Sequence, residues 1–103
     1  MQKFIAVAIM GLALAPACGE GRSPSAQCRD FIDMNCRKAI QCNEISKAEY
    51  NSCFREIDTS LRCADVVEVS GDFDTCFGVV ERMSCERFAE GILPTDCYSV
   101  LLY

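Results

Sequence analysis

The sequence has no histidine and no tryptophan. Without histidine, Ser-His-Asp and Cys-His nucleophilic catalysis are excluded, and most zinc sites lose their usual nitrogen ligand. No Cys-x-x-Cys pair occurs; the closest spacing downstream of Cys18 is Cys36-x5-Cys42. That speaks against a thioredoxin-like redox centre. It also speaks against a cysteine-only metal or iron–sulfur site, which needs tighter clusters and a reducing compartment. There is no glycine-rich phosphate loop. Cationic residues are the minority, 10 against 15 acidic, for a net charge of −5. This balance argues against a nucleic-acid partner, whose phosphates need Lys and Arg. It also argues against flat adsorption on anionic lipid. Ordinary solubility is reason enough for the charge.

Two acidic stretches fail a chemical reading. Glu68-Val69-Ser70-Gly71-Asp72-Phe73-Asp74 alternates oxygen-bearing side chains as calcium loops do. It lacks the glycine at the sixth place and the glutamate at the twelfth, and reads as a loop and helix cap. Glu86 and Glu90 form an i,i+4 pair on a solvated helix face, with no cleft motif that would make them an acid–base pair. The expectation is therefore no catalytic residues, no metal and no cofactor.

What is present begins with the leader. Residues 1–17, MQKFIAVAIMGLALAPA, carry Lys3 as their one charge, then an apolar run from Phe4 to Ala15. The run is roughly a dozen residues, too short for ~30 Å of hydrocarbon. A basic start, an apolar middle and small residues at the exit define a secretory signal. The exit has two readings. Ala15-Pro16-Ala17 suits ordinary signal peptidase, with cleavage before Cys18. Leu14-Ala15-Pro16-Ala17-Cys18-Gly19 also resembles a bacterial lipoprotein box, in which the cysteine thiol receives a diacylglyceryl group. The resemblance departs at one place, since Ala15 stands where the family usually has Leu.

Cysteine parity favours the second reading. Of nine cysteines, eight follow Cys18: Cys28, Cys36, Cys42, Cys53, Cys63, Cys76, Cys85 and Cys97. An even set in a short exported chain implies a disulfide framework. A ninth free thiol would scramble that framework, and thioether attachment to lipid removes the hazard. The expected organisation is a signal peptide over 1–17, a lipidated N-terminus and flexible tether over 18–27, and a disulfide-rich domain over 28–103. The tether is polar and rich in Gly, Ser and Pro, with too little apolar surface to offset its ordering entropy. In layout the whole chain resembles small cysteine-rich lipoproteins of bacterial envelopes. The resemblance implies location: the cell envelope, and with Gly19 after the lipidated cysteine, the outer membrane. Plain secretion is the alternative.

A domain this small is marginal without staples. Its periodicity is helical, which makes the expected fold all-α, a disulfide-stapled bundle of three to four short helices. Cys28, Phe31, Ile32, Cys36, Ala39 and Cys42 share one stripe of a helix over 26–41, with Asp30, Asp33, Arg37 and Gln41 opposite. Ser46-Lys47-Ala48-Glu49 is a capping box opening a second helix to about Arg62, with Tyr50, Cys53, Phe54, Ile57 and Leu61 inward. A third begins after Asp72, a plausible cap, with Phe73, Cys76, Phe77, Val80 and Met83 inward. A fourth spans about 85–90 and stops at Gly91 and Pro94. The tail CYSVLLY is a short helix or a strand-like segment that must be packed. Tyr50-Asn51-Ser52-Cys53-Phe54 returns as Phe73-Asp74-Thr75-Cys76-Phe77, an internal repeat of an aromatic–cysteine–aromatic patch.

Eight cysteines allow 105 pairings. Antiparallel packing of the first two helices suggests Cys28–Cys63 and Cys36–Cys53; among the rest, Cys42–Cys85 and Cys76–Cys97 are preferred. For function the expectation is a lipid-anchored, non-catalytic binding module of the cell envelope, in contact with the membrane through its anchor and with an unidentified envelope protein. The alternative is an anchored or secreted proteinase-inhibitor-like scaffold, with Gly91-Ile92-Leu93-Pro94-Thr95-Asp96 as the presented loop.

Overall fold

The computed structural model describes residues 22–103. The expected leader, Cys18 and residues 19–21 of the tether lie outside the described residues. The fold is mostly helical and carries four disulfides, as the periodicity and cysteine parity imply.

Helix α1 spans Pro24–Gln41. It starts two residues before the expected Ala26. The reason is local. Ser23 is the N-cap, its Oγ accepting from the Ala26 N–H at 3.1 Å, and Pro24 supplies a pre-set φ at the first helical position. Residues 24–27 therefore belong to the helix. Arg22 is tied down as well, by an ion pair to Asp30 at 2.8 Å.

The second helix is entered through a 3₁₀ turn, Lys47–Glu49, whose capping box is present: the Ser46 N–H donates to Glu49 Oε1 at 2.7 Å. Helix α2 follows over Tyr50–Leu61 and is ended by Arg62 in the left-handed region at φ 51°. After a 3₁₀ turn at Cys63–Asp65 the chain forms strand β1, Glu68–Val69. Helix α3 spans Phe73–Arg82. Asp72 does not cap it through its side chain. Ser70 shapes the entry instead, its Oγ accepting from the Asp72 N–H and its carbonyl from the Phe73 N–H. Helix α4, Cys85–Ala89, is capped by Ser84 Oγ on the Arg87 N–H, and the chain turns away at Gly91, φ 70°.

The tail is the strand-like alternative. Strand β2, Leu101–Leu102, pairs antiparallel with β1 in the register Glu68–Leu102 and Val69–Leu101. The inward residues of that pair explain why it forms. Val69 and Leu101 pack against both halves of the core. Val100 is buried, whereas Leu102 and Tyr103 stay exposed.

The core is divided because α1 is central. One side of α1 buries Cys28, Ile32 and Cys36 with Cys63 and Val66, flanked by Tyr50, Phe54, Ile57 and Leu61. The other buries Met34 with Phe73, Cys76, Val80, Cys97 and Val100, flanked by Phe31, Phe77 and Phe88. A single stripe on α1 is thus too narrow a description; Met34 and Lys38 form a second, adjacent buried stripe facing α3. The repeat sits at equivalent places, opening α2 and α3, and each copy sets its two rings tilted about 6 Å apart, at 6.2 Å for Tyr50–Phe54 and 6.1 Å for Phe73–Phe77.

Four disulfides cross the structure: Cys28–Cys63, Cys36–Cys53, Cys42–Cys85 and Cys76–Cys97. The first two are the pairs that antiparallel packing of α1 and α2 suggests, and the last two are those preferred among the remaining cysteines. The first two clamp the ends of α1 and α2. The third joins the end of α1 to α4, and the fourth joins α3 to the 3₁₀ turn Thr95–Cys97.

Candidate functional site

An open groove of about 680 Å³ runs between α1 and α3. Its floor is apolar, built from Met34, Phe73 and Phe77. Phe31 backs the floor, with its ring 6.1 Å from Phe73 and 6.3 Å from Phe77. Its rim is charged, because α1 presents Asp30, Asp33 and Arg37 to one side, with Arg22 just ahead of the helix, while α3 presents Asp74 and Glu81 to the other. Helical periodicity explains both. Residues 30, 33, 37 and 41 recur at three and four and line one edge of α1.

The α1 rim is held in place by its own contacts. Arg37 Nε donates to both oxygens of Asp33, at 3.0 and 2.9 Å, and the Tyr50 hydroxyl donates to Asp33 Oδ1 from α2. The Tyr50 hydroxyl is the main reason the Asp33 carboxyl lies below its ordinary pKa; burial opposes it, and the hydrogen bond and charge of Arg37 add to the lowering. The same bond pushes the Tyr50 phenol up. A depressed carboxyl contributes stability that is complete above the unfolded value of about 4 and is lost as pH falls through the lower folded value. Tyr50→Phe should therefore raise the Asp33 pKa toward the ordinary range and destabilise the fold by about 1 kcal/mol at neutral pH, the site being half-exposed. It should also shrink the stability lost on acidification below about pH 4. Carboxyl titration by NMR and urea unfolding at two pH values check this.

Lys38 is the buried cation of the site, at 8% exposure. Its Nζ donates to the Glu81 carbonyl at 2.9 Å, in the last turn of α3, and lies 5.8 Å from the centre of the Phe88 ring. The ammonium thus caps α3 where cations are favoured and fastens α1 to α3 and α4. Lys38→Ala should cost about 2–3 kcal/mol, combining the lost bond and lost packing of the stem. Lys38→Met, which keeps the stem, should cost about 1 kcal/mol. Urea unfolding of the oxidised protein reads the difference.

The eight framework cysteines are brought together as four bonds away from the groove; Cys28, Cys36, Cys63 and Cys76 are completely buried, while Cys85 is exposed. Cys18, the expected lipidation site, lies outside the described residues. Glu86 and Glu90 are both exposed on and just after α4, and Glu90 pairs with Arg87 at 3.5 Å. Among the described residues, no group of three His, Cys, Asp or Glu side chains is placed to hold a metal ion, and no helix is long and apolar enough to cross a membrane. Sequence reasoning did not find the groove, because it depends on how α1 and α3 pack. The signals that could have pointed to it were the Asp33–Arg37 spacing and the second apolar stripe at Met34.

The loop at 91–96 is displayed at the surface, with Ile92 65% and Leu93 47% exposed. It runs between Cys85 and Cys97, each fixed by a disulfide. No family description, curated protein or solved structure matches this chain.

Proposed function

We propose that the protein is a non-catalytic binding module, held at the bacterial envelope through an acylated Cys18, and that the α1–α3 groove receives an amphipathic segment of an envelope protein. The observation that carries the reading is the groove: an apolar floor with charges of both signs along its rim. Aromatic rings supply contact area at little loss of side-chain freedom. The rim charges fix register and exclude wrong partners. The absence of histidine supports a binding role over catalysis. So does the engagement of Asp33 by Arg37 and Tyr50.

The test is site-specific photo-crosslinking in the envelope. A crosslinker in place of Asp74, on the groove rim, should give a discrete adduct. One in place of Thr59, exposed on α2, should not. Phe77→Arg, which puts a charge on the floor, should abolish the adduct while leaving the far-ultraviolet circular dichroism unchanged. Adducts that are absent at Asp74, or identical at Asp74 and Thr59, contradict the reading.

A second reading has its own observation. The exposed Ile92 and Leu93, on a short loop flanked by two disulfide-fixed cysteines, are presented as proteinase inhibitors present a reactive segment. In that case the oxidised protein inhibits a member of a serine and cysteine proteinase panel, and Ile92→Asp with Leu93→Asp removes the inhibition. Cleavage of the loop without inhibition contradicts it.

A further inference from the structure

We propose that the end of the domain nearest Cys18 docks on the bilayer itself, through an apolar patch of Val67, Leu93 and Tyr103 beside Arg62; this rests on the lipid-anchor reading above. The first argument is reach. Three residues lie between Cys18 and Arg22, four steps along the chain that reach at most about 14 Å. Arg22 is already fixed to Asp30, and α1 begins at Pro24. A tether running to Gln27 would leave the domain free to stand off. With the helix starting where it does, an acylated Cys18 keeps the first turn of α1 close to the headgroup layer.

The second argument is what that end carries. Cys28, in the second turn of α1, is bonded to Cys63, with 5.4 Å between their Cα atoms. Around Cys63 the chain gathers apolar surface. The Tyr103 hydroxyl donates to the Leu61 carbonyl, and the Arg62 guanidinium lies 5.1 Å from the centre of the Tyr103 ring. The Val67 N–H donates to the Leu102 carbonyl at 2.8 Å. That bond holds Val67 beside the tail at Leu102. Leu93 and Tyr103 share a recess of about 200 Å³ with Phe31 and Leu61. Val67 is 68% exposed and Tyr103 54%.

The chemistry fits a lipid interface. Tyrosine is favoured at the headgroup level, with its ring in the apolar margin and its hydroxyl toward water, and Arg62 offers donors to phosphate. Asp65 pairs with Arg62 at 3.3 Å and Glu68 is close by, so charge does not draw this face to the membrane. The anchor does, by making a weak apolar contact intramolecular.

The chain has no tryptophan, so a single introduced one reports its own surroundings. The full-length protein, carrying Tyr103→Trp, is purified in acylated form and placed in phosphatidylethanolamine–phosphatidylglycerol vesicles containing bromine-labelled acyl chains. Val67→Trp is the second variant on the patch, and Lys47→Trp, at the opposite end of α2, is the control. Docking predicts a blue shift and loss of emission for the two patch variants and neither for the control. Vesicle-borne, acylated protein whose patch variants are no more quenched than the control overturns the docking and leaves the anchor standing. A blue shift without quenching, together with a dimer mass in detergent, assigns the patch to a second copy and overturns it too. A chain with no acyl mass that fails to float with vesicles overturns the anchor, and the docking with it.

Discussion

Reduction of all four disulfides unfolds the domain at room temperature without denaturant. The bonds close sequence separations of 35, 17, 43 and 21 residues. Loop-closure entropy gives each about 3–4 kcal/mol. The loops overlap, so the sum is a ceiling, but it rivals the whole stability of about 5–15 kcal/mol expected for a small domain. What remains after reduction is a small core split in two by α1. One half has the side chains of Tyr50, Phe54, Ile57 and Leu61 only half-buried around Ile32 and the cysteines. Four of the cysteines are themselves completely buried core. The order of loss follows access. Cys85 is exposed and Cys42 half-buried, so Cys42–Cys85 opens first, and the Cys28–Cys63 bond, buried at both ends, opens late. Circular dichroism during stepwise reduction, with mass mapping of alkylated cysteines, checks both the unfolding and the order.

If Cys18 carries the proposed lipid anchor, its replacement by serine should move the protein from the envelope to the soluble fraction. Each buried methylene of an acyl chain contributes about 0.8 kcal/mol, and more than one chain makes attachment effectively stable. The patch at Val67, Leu93 and Tyr103 is far too small to hold the protein on a membrane alone. The expected result is therefore a near-complete shift between fractions with the fold unchanged. Fractionation followed by non-reducing electrophoresis reads it. Retention of the Cys18→Ser protein in the envelope at the wild-type level contradicts the anchor.

The framework was legible for a physical reason. Cys28 and Cys36, at helical spacing with Ile32 on one stripe of α1, mark a buried face, and an antiparallel neighbour then suggests Cys63 and Cys53 as their partners; the other two pairs rest on preference among the cysteines left. Local signals were likewise readable where the chemistry is short-range: the Ser46–Glu49 box, the stop at Gly91 and the repeat that opens α2 and α3. Ser23-Pro24 was a readable start signal that the polar composition around it obscured. What could not be read depended on long-range placement. Lys38 looks like a surface residue until α3 brings the Glu81 carbonyl to it. Val69 and Leu101 become a strand pair only when the tail returns across α1. Tyr50 reaches Asp33 only because α2 lies against α1. The groove is a product of these placements, and no motif announces it.

We propose a four-disulfide domain carried on a lipid-modified Cys18. Its most direct test is the intact mass of the mature protein from a bacterial envelope fraction, before and after reduction. The expected species is a chain beginning at Cys18, heavier than its residues by an acylated glyceryl group. On reduction it should gain eight hydrogens, two for each of the four bonds. An unmodified chain beginning at Cys18, with a reactive thiol or a disulfide-linked dimer, would contradict it.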